Sequence, residues 1–347
     1  SAGNHSTLPS FYQFQFVATQ RATLAAALSP IPKQTHHTIF FLLFYPEQMI
    51  DAAESGLLTW FNNVIPSLFP FMVTVNIITG NSSRLNFPSF MSSAFEKAFK
   101  VDGAGIIAYV FGLLSGYPLG AKISADLYFK NKIGKADVQK LIAFCCNAGP
   151  MFIVGTLACE ILDTPWLGYV ILISSLISNT ITGMLLNRTV FGLHDKLKYS
   201  LNSCSRPENG NSSAVQNSCE AVIRVGGYII LFSVISSILE ILGIIDVASG
   251  VVSIIIPLEY TETKALLTGF LEMTCGINVL AGSTASLGVK AAVSSFLVSF
   301  GGISVIAQSA DFLRGTGADL KLFVLSKFVN GALTSVITYI SVVMILK

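Results

Sequence analysis

The sequence predicts an all-α polytopic membrane protein made of two inverted repeats, each carrying a re-entrant helical hairpin. Three observations predict it. The chain of 347 residues is 52% hydrophobic and only 12% charged, with a mean hydropathy of +0.67; soluble domains carry about twice that charge fraction. Six stretches are long and apolar enough to cross a bilayer. Two further apolar segments are interrupted by glycine, proline and polar residues. So apolar a chain cannot cover itself with polar groups, so lipid must cover it.

The elements run in order as follows. Residues 1–44 read as a separate N-terminal segment, polar and punctuated by Pro9, Pro30 and Pro32; its "HHTIFFLLFYP" is too short to span and lacks a signal-peptide cleavage pattern. Spans are expected at 57–80, 141–162, 166–187, 222–245, 289–308 and 320–346, with Pro66 and Pro70 kinking the first. The interrupted segments are 104–129 and 264–288. The polar run 188–221, rich in Asn, Ser, Pro and Gly, marks a linker. The chain thus divides into a first repeat at 45–190, a linker at 191–221 and a second repeat at 222–347.

The two halves match in order: span, interrupted segment, span, span. "GLLSGYPLGAK" (112–122) corresponds to "GFLEMTCGINVLAG" (269–282). "FCCNAGPMFIVGTLACEIL" (144–162) corresponds to "VSFGGISVIAQSADFL" (298–313), and Asn179 corresponds to Asn330. Weak identity in a consistent order is the mark of duplicated transporter halves.

Charge placement decides whether the interrupted segments cross. If both are hairpins, the loops 81–103, 130–140, 188–221 and 309–319 share one side. With the adjoining span ends, that side collects fourteen basic residues: Arg84, Lys97, Lys100, Lys130, Lys132, Lys135, Lys140, Arg188, Lys196, Lys198, Arg206, Arg224, Arg314 and Lys321. The other side has three, Lys264, Lys290 and Lys347, beside Asp163, Asp246, Glu259 and Glu262. This bias puts the basic loops in the cytoplasm. With three crossings per half, the second half is inverted relative to the first.

Irregular backbone at membrane depth must be buried in protein or line a watery cavity. Gly116, Pro118 and Gly120 break a helix, and the half-helix ends so exposed attract anions. Lys122 adds a positive charge beside the break, and a charge within a membrane segment is a functional candidate; pairing with Asp126 one turn later is the competing reading. Glu272, Thr274 and Asn278 supply polar groups in the second hairpin. "CNAGP" (146–150), with Gly301 and Gly302 at the matching place, reads either as a second helix break or as a site of close helix packing. Lys327 is placed to neutralise Glu272 or to meet an anion.

Several functions are excluded. The net charge of +2, without basic tracts interleaved with aromatics, gives no reason to expect nucleic acid. "GYPLGAKIS" lacks the G-K-[ST] of a phosphate loop. The four histidines, His5, His36, His37 and His194, fall outside the spans, which removes an H-E-x-x-H protease and a buried Ser–His pair. None of the six cysteines is in a C-x-x-C spacing, so no disulfide framework, metal or cofactor is expected. An enzyme is not indicated.

From about Tyr45 to Leu346 the chain resembles the sporulation integral membrane protein family of the YlbJ type, built from two nucleoside-recognition "Gate" domains. The residues that carry the resemblance are "YPEQMIDAAESGLLTWFNNVIPSLFPFMV" (45–73), "GLLSGYPLGAK" (112–122), "CNAGP" (146–150) and "GFLEMTCGINVLA" (269–281). The chain departs from the family upstream of "YPEQ", where a first apolar helix is expected and only "TIFFLLF" stands. The resemblance implies a fold like that of concentrative nucleoside transporters. It also implies a role in endospore formation, moving dipicolinic acid across the outer forespore membrane. Motif position and chemistry together give the expected substrate site: Ser115, Gly116, Tyr117, Lys122, Asn147, Glu272 and Asn278. A nucleoside or other small-metabolite transporter and a non-transporting scaffold of the spore envelope are the alternatives.

Overall fold

The computed structural model describes residues 41, 43–80, 87–189 and 213–347. The N-terminal residues 1–40 and most of the expected linker lie outside the described residues. The chain divides into two compact units, 1–51 and 52–347. Within the first, the rings of Phe41 and Tyr45 stack 5.6 Å apart.

The described residues are helical and contain no strand. Helix α1 (Pro46–Thr59) continues through a π-helical turn (Trp60–Val64) into α2 (Ile65–Gly80), and α3 is Ser89–Phe99. A short 3-10 turn leads into α4 (Ile106–Ser115), followed by α5 (Leu119–Phe129), α6 (Lys135–Cys145), the π-helical segment α7 (Met151–Ile161) and α8 (Pro165–Arg188). The second half contains α9 (Ala214–Ile241), α10 (Ile244–Ile255), α11 (Tyr260–Leu271), α12 (Met273–Ala281), α13 (Leu287–Phe300), α14 (Gly302–Phe312) and α15 (Leu320–Ile345). Five helical stretches are long and apolar enough to cross a membrane: Pro46–Ile78, Pro165–Arg188, Ala214–Ile241, Leu287–Phe312 and Leu320–Ile345. The protein is an all-α integral membrane protein.

Both halves follow the same order: a long helix, a short helix, a helical hairpin broken at its tip, a helix broken midway, and a long helix. Three expectations change. The first span begins at Pro46 rather than at 57, and α9 begins at Ala214, inside the expected linker. The spans expected at 141–162 and 289–308 are both interrupted, at 146–150 and at Gly301. Glycines make the second interruption: Gly301 takes φ +86° and Gly302 φ +74°, a region that disfavours residues with a Cβ. The segments α3 and α10, expected as loops, are short helices.

Equivalent long helices pair across the halves. Trp60 Nε1 donates to the Val222 carbonyl at 3.0 Å, and Asn76 Nδ2 donates to Ser218 Oγ at 2.8 Å, joining α2 to α9. Asn330 Nδ2 donates to Asn179 Oδ1 at 2.5 Å, and Ser178 Oγ donates to Asn330 Oδ1 at 2.7 Å, joining α8 to α15. Of these side chains Ser178, Asn179, Ser218 and Asn330 are fully buried, so each must find its partner within the protein.

Described residues at the edges of the loops expected on the basic side lie against one another. Asn187 Nδ2 donates to the Phe99 carbonyl at 2.8 Å. The Asp102 backbone sits against the Asp137 carboxylate. Asp319 N donates to Gln139 Oε1 at 2.6 Å. The residues flanking the hairpin α4–α5 are therefore held near one another.

Candidate functional site

The two arms of the first hairpin close on each other because neither has a side chain at the contact. Gly112 on α4 and Gly120 on α5 face one another, and the Cys145 carbonyl is lodged against both; a Cβ on either would clash with that oxygen. The end of α6 is thus held against the first hairpin. At the tip, Gly116 takes φ +88°, and a Cβ there would come within 2.6 Å of the Gly149 nitrogen. Tyr117 N donates to the Asn147 carbonyl at 2.6 Å. The hairpin break and the break between α6 and α7 are therefore one packed unit. The second half repeats the arrangement, with Gly269 against Gly276 inside the hairpin and Gly302 against the Gly269 and Leu271 carbonyls.

Glu272 terminates α11 and caps α12. Its Oε2 accepts from Cys275 N at 2.9 Å and from the Thr274 hydroxyl, satisfying donors that a helix start leaves free. The two tips meet where the Tyr117 hydroxyl contacts the Met273 sulfur. Lys327 on α15, 1% exposed, donates to the Cys146 carbonyl at the end of α6 and lies 5.8 Å from the Tyr117 ring centre. A cation there favours the negative end of the α6 dipole, and the ring face adds cation–π attraction.

A cavity of about 60 Å³ opens at this junction. Leu114, Ser115, Gly116 and Tyr117 line it from the first hairpin, and Glu272, Met273 and Thr274 from the second. Ala148, Gly149, Met151 and Phe152 come from the break before α7, Val305 and Gln308 from α14, and Val225 and Ile229 from α9; Thr59, Val64, Ser67 and Leu68 close the remaining wall. Ser115 Oγ is buried without a hydrogen-bond partner.

Of the expected site residues, the structure brings Ser115, Gly116, Tyr117 and Glu272 to the cavity. Asn147 stands behind it: Nδ2 donates to the Phe144 carbonyl at 2.7 Å, and Oδ1 is buried and unpartnered. Lys122 does not line the cavity; its Nζ binds Asp126 Oδ2 at 2.8 Å and Asn76 Oδ1 at 2.9 Å. Asn278 is exposed and on none of the cavity walls. Lys327 does not reach Glu272 but sits behind Tyr117. Sequence reasoning missed Gln308, whose polar side chain in the apolar run after Gly302 was the available signal. Among the described residues, no group of three His, Cys, Asp or Glu is placed to hold a metal.

No family model matches the chain, and no solved structure matches it. The chain is similar to the sporulation integral membrane protein YlbJ of Bacillus subtilis (strain 168), with 27% identity over 318 residues, covering 85% of this chain and 78% of that protein. This similarity, with the apolar helices described above, is to an integral membrane protein of sporulation.

Proposed function

We propose that this protein is a secondary transporter of a small organic anion, dipicolinic acid, acting in the outer forespore membrane during endospore formation. On this reading the halves 45–190 and 222–347 are inverted repeats, and α4–α5 and α11–α12 are re-entrant hairpins whose tips meet near the midplane. The basic loops face the cytoplasm.

The observation that carries the reading is a cavity at the junction of two hairpin tips and two broken helices in an apolar chain. Interrupted helices at one site are the usual construction of a transporter binding site. Dipicolinate is a flat pyridine with two carboxylates. Leu114, Phe152, Val225 and Ile229 offer its ring an apolar wall, while the unpartnered Ser115 hydroxyl offers a donor to a carboxylate. A neutral substrate such as a nucleoside is the second reading, favoured by Gln308 and by the carboxylate of Glu272 on the wall.

The test is uptake of labelled dipicolinate into proteoliposomes holding the purified full chain, with unlabelled dipicolinate or uridine as competitor. Uptake blocked by dipicolinate and not by uridine is expected. No uptake, together with normal spore dipicolinate in a deletion strain, rejects the proposal.

A further inference from the structure

The cavity wall contains a carboxylate where an anion is to bind. Among the described residues that line the cavity, Glu272 is the sole acid, and none is Lys, Arg or His. It is 3% exposed. Oε2 is committed to Cys275 N and the Thr274 hydroxyl, and the Cys275 thiol also hydrogen-bonds the carboxylate.

The charged groups on the surrounding elements are held elsewhere. Lys327 is behind the Tyr117 ring, on the Cys146 carbonyl. On α9, Arg224 pairs with Asp311 of α14 at 3.1 Å, and Glu240 pairs with Lys264 of α11 at 3.8 Å. On α13, Lys290 donates to the Ala281 carbonyl. Glu262 is ten residues from Glu272 on α11, roughly 15 Å along the helix. Glu160, at the far end of α7, is exposed. The titratable neighbours of Glu272 are the Tyr117 phenol and the Cys275 thiol.

An organic dianion beside an ionised Glu272, with no facing cation, sets like charges together in a poorly solvated site, which is strongly unfavourable. A proton on Oε1 removes the repulsion and turns that atom into a donor aimed at a substrate carboxylate. We infer that Glu272 is the proton-coupling group of the transport cycle: one proton binds Oε1 with the incoming dicarboxylate, crosses with it and leaves with it. No bond of the substrate is made or broken, and each cycle moves one net negative charge. This inference rests on the anion-transport reading above.

The experiment uses proteoliposomes loaded with a pH-sensitive dye, with the membrane potential clamped at zero and labelled dipicolinate outside. With one proton per dipicolinate, an outside pH one unit lower drives roughly tenfold accumulation of label, and the lumen acidifies as label enters. Uptake that equilibrates without accumulation, or that accumulates on a sodium gradient instead, overturns the coupling while leaving the transport reading intact. Absence of uptake overturns the transport reading. Under coupling, E272Q loses both acidification and gradient-driven accumulation, whereas retention of both overturns the assignment. If E272Q is monodisperse but inactive, E272D decides: a displaced pH profile of uptake supports the role, and the wild-type profile overturns it. Infrared difference spectra of wild type and E272Q over the same pH range report the carboxyl proton independently of transport.

Discussion

Asn330 donates its amide N–H to the side-chain carbonyl of Asn179 at 2.5 Å, across the contact between α15 and α8. Both residues are fully buried. Replacing either by leucine leaves the facing amide atom of the other, Asn330 Nδ2 or Asn179 Oδ1, without this partner, at a cost of about 1–3 kcal/mol. Thermal unfolding in detergent should show N179L and N330L each destabilised, and the double variant less so than the sum of the two. Additive losses would mean that the pair is not coupled.

Gly120 lies against the Cys145 carbonyl with no room for a methyl group. G120A should therefore force the first hairpin off the end of α6, costing about 1–3 kcal/mol and reducing substrate affinity through the displaced tip. Gly155 and Gly227 have open space where a Cβ would stand, so G155A and G227A should leave stability and binding near wild type. Equal behaviour of all three variants would contradict the packing described for the tip.

Lys122 is bound by Asp126 and Asn76, which ties α5 to α2 away from the cavity. K122M should lower thermal stability, because it leaves the half-buried Asp126 without this partner. It should leave the KM for the transported anion unchanged. A tenfold rise in KM with unchanged stability would return Lys122 to the substrate site.

Asp246 at the start of α10 accepts from the Tyr260 hydroxyl at 2.6 Å and pairs with Lys264 at 2.9 Å. The Tyr260 bond first, and then Lys264, lower its pKa from 3.8. A carboxylate whose folded-state pKa is depressed stabilises the fold above the unfolded-state value, and this contribution is lost as pH falls through the folded-state value. The melting temperature of wild type should therefore fall more steeply than that of D246N as pH drops below about 4. Parallel pH profiles would show that the cluster contributes nothing.

The fold was largely legible where backbone chemistry is coarse. Gly116 with Pro118, Gly149 with Pro150, and Gly301 with Gly302 punctuate apolar runs, and each coincides with an observed break. The short helices α3 and α10 were not legible, because 11 and 12 residues fall below the length that marks a span. The start of α9 was hidden by "AVQNSCEA", a polar helical turn that composition alone reads as linker. At the site, the motif tips located Ser115, Gly116, Tyr117 and Glu272. Lys122 and Asn278 lie close to those tips in sequence, but the rotation of a half-helix about its axis decides which side chains face the cavity. That rotation is set by the glycine contacts with neighbouring helices, not by the local sequence. Gln308 comes from a helix whose approach depends on packing across the second half.

The account's central claim is that the anion binds between the two hairpin tips. Its most direct test is the alkylation rate of Ser115→Cys, read on its own peptide by mass spectrometry so that the native cysteines do not interfere. Ser115 lines the cavity, and the hydroxyl that is replaced is buried without a partner. Dipicolinate at saturating concentration should slow the reaction at least about tenfold, a loss of access equivalent to 1.4 kcal/mol, while Asn278→Cys reacts at one rate with and without it. Equal rates at Ser115→Cys in the presence and absence of dipicolinate, in protein that transports it, would contradict the account.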